Sequence, residues 1–267
     1  MSTEQLRAAG LAVLHEELSG RDIAIIGQVA DLRLMSGLQI EAVHFPVGEH
    51  DNAAAATRAG NRVLTRLVDK RLLVRLERRI GGVRKGSGSF IYGLGPVGHR
   101  VLMMNVPRPR PHEPSPAFAL HALAVSQLVV DCTLAARQKH FELLICQAEP
   151  RCWRQFTDAR GASTLRPDLF MALGLGDLEY RYFVEVDRGT EHLPTLVRKC
   201  RVYESYYTSG RERAAHGVSP RTCWIVPSEA RARRLRQAID SSRHLTGKLF
   251  MVTTTDRALA ALSGDGS

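Results

Sequence analysis

The stretch Phe183-Val184-Glu185-Val186-Asp187-Arg188-Gly189-Thr190-Glu191 decides how the second half of this chain is read. The aromatic and β-branched residues of Arg181 to Val186 predict a strand. Successive side chains on a strand point to opposite faces, so Glu185 and Asp187 project together. Upstream, Arg166-Pro167-Asp168 falls on a second expected strand, Leu165 to Leu173, and pairing the two would bring three carboxylates within reach. Like charges that close are costly unless a cation compensates. Oxygen ligands of this kind suit Mg²⁺ or Mn²⁺, with which phosphodiester-cleaving enzymes polarise phosphate and generate hydroxide.

Around that pair the apolar pattern predicts a long helix from Phe118 to Gln138 and a strand from Phe141 to Cys146. After it come a helix from Thr195 to Thr208, a strand from Arg221 to Val226, a helix from Glu229 to Ser241 and a strand from Lys248 to Thr253. The order helix, three strands, helix, strand, with a further helix and strand, predicts an α/β fold with a central mixed sheet covered by helices. The helix bearing Arg231, Arg233, Arg234 and Arg236 reads either as a DNA contact surface or as an exposed amphipathic helix with Leu235 and Ile239 on the sheet.

Toward the start, Ile23, Ile26, Val29, Ala30 and Leu34 have helical spacing over Asp22 to Leu34. A short second helix is expected from Leu38 to Phe45, and Asp51-Asn52 opens a third that runs through Lys70. On the third, Ala55, Ala59, Val63 and Leu67 should face inward, with Arg58, Arg62 and Arg66 on another face. Expected strands Leu72 to Ile80 and Ser89 to Leu94 flank the glycine-rich, basic segment 81–88. Three helices followed by a basic hairpin is the order of a winged helix-turn-helix. There the third helix enters the major groove and the wing follows phosphates, which makes Arg58, Arg62, Arg66, Arg78, Arg79, Arg84 and Lys85 the expected DNA contacts. The alternative for each arginine is a solvated helix face.

Between the halves, NVPRPRPHEPSP (Asn105 to Pro116) removes backbone donors repeatedly and reads as a semi-rigid linker. The expected organisation is a winged-helix domain over 1–104, a linker over 105–117 and an α/β domain over 118–267. The chain carries 37 Lys and Arg against 27 Asp and Glu, a net charge of +10 that favours a polyanionic partner, here double-stranded DNA. Cys132, Cys146, Cys152, Cys200 and Cys223 show no CxxC pair, so neither a disulfide framework nor a zinc ribbon is indicated. No apolar run or signal-like start argues for a membrane, which makes the cytoplasm the expected compartment. A P-loop, an HExxH helix and a GxSxG elbow are all missing from the sequence.

Pro167-Asp168, a spacer and Glu185-x-Asp187 resemble the signature of the PD-(D/E)xK nuclease superfamily. Over most of residues 20 to 255 the chain also resembles the replication-relaxation family, encoded on plasmids and other mobile elements. The residues carrying that likeness include Leu38-Gln39-Ile40, His44-Phe45, Arg62 to Leu67, His121 to Val125, Trp153, the 183–191 stretch, Lys199, Tyr203 and Tyr206-Tyr207. The resemblance implies a winged helix before a PD-(D/E)xK-like α/β domain, with Asp168, Glu185 and Asp187 as catalytic and metal-binding residues for Mg²⁺ or Mn²⁺. It implies a part in replication, relaxation or mobilisation, with relaxase, replication proteins or a second copy as protein partners. Active superfamily members place lysine two residues after the strand glutamate, whereas this chain has Asp187 there, and Lys199 or Arg198 on the following helix is the expected replacement, with Lys199 taken as the catalytic candidate. Three functions follow: a DNA-binding accessory protein, a divalent-metal endonuclease, or a transcription regulator. The three tyrosines are expected mainly as packing residues with hydroxyls toward solvent.

Overall fold

The computed structural model describes residues 13–14, 16–76, 89–102, 114–158 and 161–264. Contacts divide the chain into two compact units, Met1–Val130 and Asp131–Ser267.

In the first unit, helix α1 (Gly20–Leu32) opens on a capping box: the Ser19 hydroxyl accepts from the Asp22 N–H, and the Asp22 carboxylate accepts from the Ser19 N–H. Its apolar stripe, Ile25, Ile26 and Val29, is fully buried. The helix stops short of the expected Leu34, because Arg33 adopts φ 67° and Leu34–Ser36 becomes strand β1. Leu34 still points into the core, paired with Gly93. Ser36 then caps α2 (Gly37–His44), with Gln39 closing a second capping box. Helix α3 (Ala53–Asp69) starts where the Asn52 side chain accepts from the Ala55 N–H.

The inward line of α3 is Ala56, Gly60, Leu64 and Leu67, so the expected Ala55, Ala59 and Val63 lie half-buried at its margin. This rotation by about one residue, roughly 100°, follows from Phe45, whose ring sits 3.4 Å from where a Cβ on residue 60 would stand. Strands β2 (Leu73–Leu76) and β3 (Ile91–Leu94) complete an antiparallel sheet of order β1-β3-β2, and α4 (Pro96–Leu102) follows. The loop 81–88 with Arg84 and Lys85, and also Arg78 and Arg79, lie outside the described residues.

Helix α5 (Pro116–Arg137) begins inside the stretch read as a linker. Its first half packs within the first unit, Ala119 and Ala122 against Leu34 and Ile91. The Ser126 hydroxyl donates to the Leu34 carbonyl at 2.6 Å, and the Gln39 amide donates to the Leu123 carbonyl at 3.0 Å. These contacts put the division between the units inside α5, whereas composition alone placed it among the prolines of 105–117. By length and composition α5 is apolar enough to cross a membrane; its buried positions, among them Ala119, Val125, Val129 and Cys132, use that apolarity for packing.

The second unit is built on a five-stranded mixed sheet. β4 (Glu142–Ala148) is followed by a separate hairpin of β5 (Arg154–Asp158) and β6 (Gly161–Leu165). Then β7 (Leu169–Leu175) pairs antiparallel with both β4 and β8 (Leu178–Val186). Helices α6 (Leu193–Thr208) and α7 (Arg211–His216) lead to β9 (Arg221–Val226), which lies parallel to β8. Helix α8 (Glu229–Asp240) leads to β10 (Phe250–Thr254), parallel to β9, and α9 (Ala258–Leu262) follows. The sheet order is β10-β9-β8-β7-β4. The expected strand from Leu165 to Leu173 is therefore two strands. Pro167 cannot donate to a ladder, and central pairing resumes where the Asp168 N–H bonds the Val184 carbonyl at 3.1 Å.

One core joins Phe170, Phe183 and Trp224 of the sheet to Leu196, Cys200 and Tyr203 of α6 and Leu235 and Ile239 of α8. The amphipathic reading of α8 is thus met by Leu235 and Ile239. Burial pushes the thiols of Cys132, Cys152, Cys200 and Cys223 up to about 12, which leaves them protonated and unreactive at neutral pH.

Candidate functional site

Three segments of the second unit supply the site. The turn entering β7 carries Asp168, the end of β8 carries Glu185 with Asp187 just beyond it, and α6 carries Lys199 and Tyr203 one turn apart. Asp168 is fixed on both sides, since its carboxylate accepts from the Val186 N–H at 2.8 Å and its carbonyl accepts from the Glu149 N–H at 3.1 Å. The same hydrogen bond ties it to β8, the strand of Glu185.

Glu185 is only 3% exposed, and two side chains of α6 meet its oxygens. The Tyr203 hydroxyl donates to Oε1 at 2.6 Å, and the Lys199 ammonium stands 3.5 Å from Oε2. Burial, reinforced by the Asp168 charge, pushes the Glu185 carboxyl up to about 8, against the lowering pull of Lys199 and Tyr203. Burial works against the Lys199 charge as well, yet Glu185 and Glu191 outweigh it and hold its pKa above the usual lysine range. Burial beside Glu185 raises the Tyr203 phenol well above its ordinary value. The expectation of a solvent-facing hydroxyl thus fails for Tyr203, which seats a carboxylate instead.

Asp187 belongs to a different part of the network. It follows the last residue of β8, its N–H bonded to the Ile225 carbonyl. Its carboxylate accepts from Arg231 Nε at 2.7 Å and from the Gly189 N–H at 2.8 Å. Gly189 has φ 79°, a left-handed conformation that a side chain would strain. Arg231 also donates to the Glu191 carbonyl at 2.5 Å, while the Glu191 carboxylate accepts from Lys199 at 3.2 Å. A chain of contacts therefore runs from Glu185 through Lys199, Glu191 and Arg231 to Asp187, ionic except where Arg231 meets the Glu191 backbone carbonyl.

The structure thus makes Asp168 and Glu185 electrostatic neighbours and brings Lys199 to Glu185, but it gives Asp187 a cationic partner of its own. Among the described residues, no group of three His, Cys, Asp or Glu stands where it could hold a metal ion. Two carboxylates are nevertheless a fitting donor set for Mg²⁺ or Mn²⁺, since magnesium keeps several waters and needs only one or two carboxylates. Glu191 and Arg231 were visible in the sequence only as a motif end and one arginine among four. No local signal linked them.

In the first unit, Arg58 and Arg62 are exposed on α3. Arg66 differs: its guanidinium donates at 2.6 Å to Asp22, whose side chain is 1% exposed. On α8, Arg231 is bound to Asp187, and Arg236 donates to Glu229 and to the Val252 carbonyl, while Arg233 and Arg234 are exposed.

Comparison with known proteins gives one family, described as replication-relaxation, whose model matches residues 26–222. That match covers α1 from Ile26, the whole candidate site except Arg231, and β9 as far as Thr222. No curated protein and no solved structure matches the chain. With more than half of its length matched by that one model, the chain belongs to the replication-relaxation family.

Proposed function

We propose that this chain is a DNA-binding protein of a plasmid or other mobile element, acting in replication, relaxation or mobilisation. Family membership supports the role. In the first unit, the order α1, β1, α2, α3, β2, β3 with sheet order β1-β3-β2 agrees with a winged helix. The observation that carries DNA binding is the outer face of α3, where Arg58 and Arg62 are exposed and have no carboxylate partner among the described residues. Phosphates supply what the protein does not. The test is duplex binding by the Arg58→Ala/Arg62→Ala chain: weaker binding with a shallower salt dependence supports the assignment, and unchanged affinity removes it.

A second reading, divalent-metal endonuclease, is favoured by one contact, Lys199 Nζ at 3.5 Å from Glu185 Oε2. The element order and strand directions of the second unit agree with a PD-(D/E)xK core. In this reading Asp168 and Glu185 hold the cation, which when bound supplies phosphate polarisation and an activated water. Lys199 holds positive charge beside the phosphate from α6, in place of a lysine at position 187. Tyr203 keeps Glu185 oriented, and the Asp187–Arg231 pair fixes the turn 187–191 that carries Glu191 against Lys199. Supercoiled plasmid incubated with the protein and Mg²⁺ or Mn²⁺ decides it: nicking that Glu185→Ala abolishes supports the reading, and intact plasmid ends it.

A further inference from the structure

Arg166 stands two residues before Asp168, exposed and without a carboxylate partner among the described residues. Arg154, which opens the preceding hairpin, is by contrast bound to the buried Glu212 at 3.1 Å. Arg166 instead places its guanidinium over the ring of Trp153, 4.9 Å from the centroid. That ring is itself packed against the core of the unit.

The backbone beneath Arg166 is equally fixed. Leu165 on one side is fully buried, and the carbonyl of Pro167 on the other accepts from the Cys152 thiol at 3.0 Å. A guanidinium on so rigid a base loses little freedom when it takes a ligand. Its planar donor fork matches a phosphate, and it is weakly hydrated enough to rest on an aromatic face while doing so.

We propose that Arg166, shelved on Trp153, is a phosphate-binding residue that seats a DNA backbone beside the Asp168–Glu185 site. This rests on the DNA-binding reading of the chain. The alternative is that Arg166 only shelters the indole, in which case its loss changes stability and leaves DNA alone.

The experiment measures duplex affinity of the full chain across a salt series for wild type, Arg166→Ala, Arg166→Lys and Arg58→Ala/Arg62→Ala, with thermal unfolding of each. The expected result for Arg166→Ala is several-fold weaker binding, a log–log salt slope shallower by about 0.9, and an unchanged melting temperature. Arg166→Lys keeps the slope and recovers only part of the affinity, because it keeps the charge and loses the fork. An Arg166→Ala chain with wild-type affinity and slope overturns the proposal. If Arg58→Ala/Arg62→Ala weakens binding at the same time, the DNA-binding reading survives that failure. A wild-type chain that binds no duplex overturns both.

Discussion

The Lys199 ammonium lies between two carboxylates, 3.5 Å from Glu185 Oε2 and 3.2 Å from Glu191 Oε1. Its worth to the fold therefore depends on whether Glu185 is ionised. At pH 9, above the Glu185 value of about 8, Lys199→Met removes the cation that pulls that value down and costs about 1–3 kcal/mol, because a carboxylate ionised in the wild type loses its charged partner. At pH 6 Glu185 holds its proton and the same substitution costs less. Denaturant unfolding at the two pH values checks this, and an equal loss at both would show that Lys199 does not respond to the Glu185 charge.

Glu185 also sets a sign for the pH dependence of stability. Its folded-state pKa, about 8, lies above the ordinary 4.5, so between those values the folded chain keeps a proton that the unfolded chain releases. Its contribution to stability therefore falls as pH rises from about 4.5 to about 8. Glu185→Gln, which still accepts from Tyr203, should remove that slope and raise stability most at the alkaline end. Parallel stability curves for wild type and variant across this window would contradict it.

The arginines of α3 should separate into two kinds. Arg66→Ala strips the partner from an Asp22 carboxylate that is 1% exposed, and the expected cost is about 1–3 kcal/mol. Arg58→Ala and Arg62→Ala, both on the exposed face, should each stay within about 0.5 kcal/mol of wild type. Chemical denaturation of the three single variants tests the division. It fails if Arg66→Ala is as stable as the other two.

Gly98 offers a steric test within the first unit. A Cβ there would meet the Leu72 carbonyl oxygen at 2.2 Å, a clash with backbone rather than with a movable side chain. Gly98→Ala should cost about 1–3 kcal/mol or more, whereas Gly27→Ala, with nothing within 4 Å, should leave the melting temperature nearly unchanged or slightly raised. Equal melting temperatures for the two variants would refute the close approach.

Much of this arrangement was legible in the sequence wherever an element repeats its own period. Ile26 and Val29 marked α1, Leu235 and Ile239 marked the buried side of α8, and Arg221 to Val226 was read with its observed limits. The β5–β6 hairpin was missed because Phe156 is the one buried residue of β5, too little for an alternating signal. Within the site, Asp168 and Glu185 could be named from their strands, and Lys199 from the resemblance, which calls for a lysine that position 187 does not supply. The separate fate of Asp187 could not be read, because its partner is 44 positions away on α8 and the pairing exists only once that helix packs.

Both groups that grip Glu185 come from α6, with Lys199 and Tyr203 one turn apart. Unwinding or sliding of that helix releases both carboxylate oxygens in one event, so the buried acid has no half-gripped state along this route. Amide hydrogen exchange in the turn from Lys199 to Tyr203 then becomes a clock for the site: an opening that unwinds that turn is also an opening that sets Glu185 free.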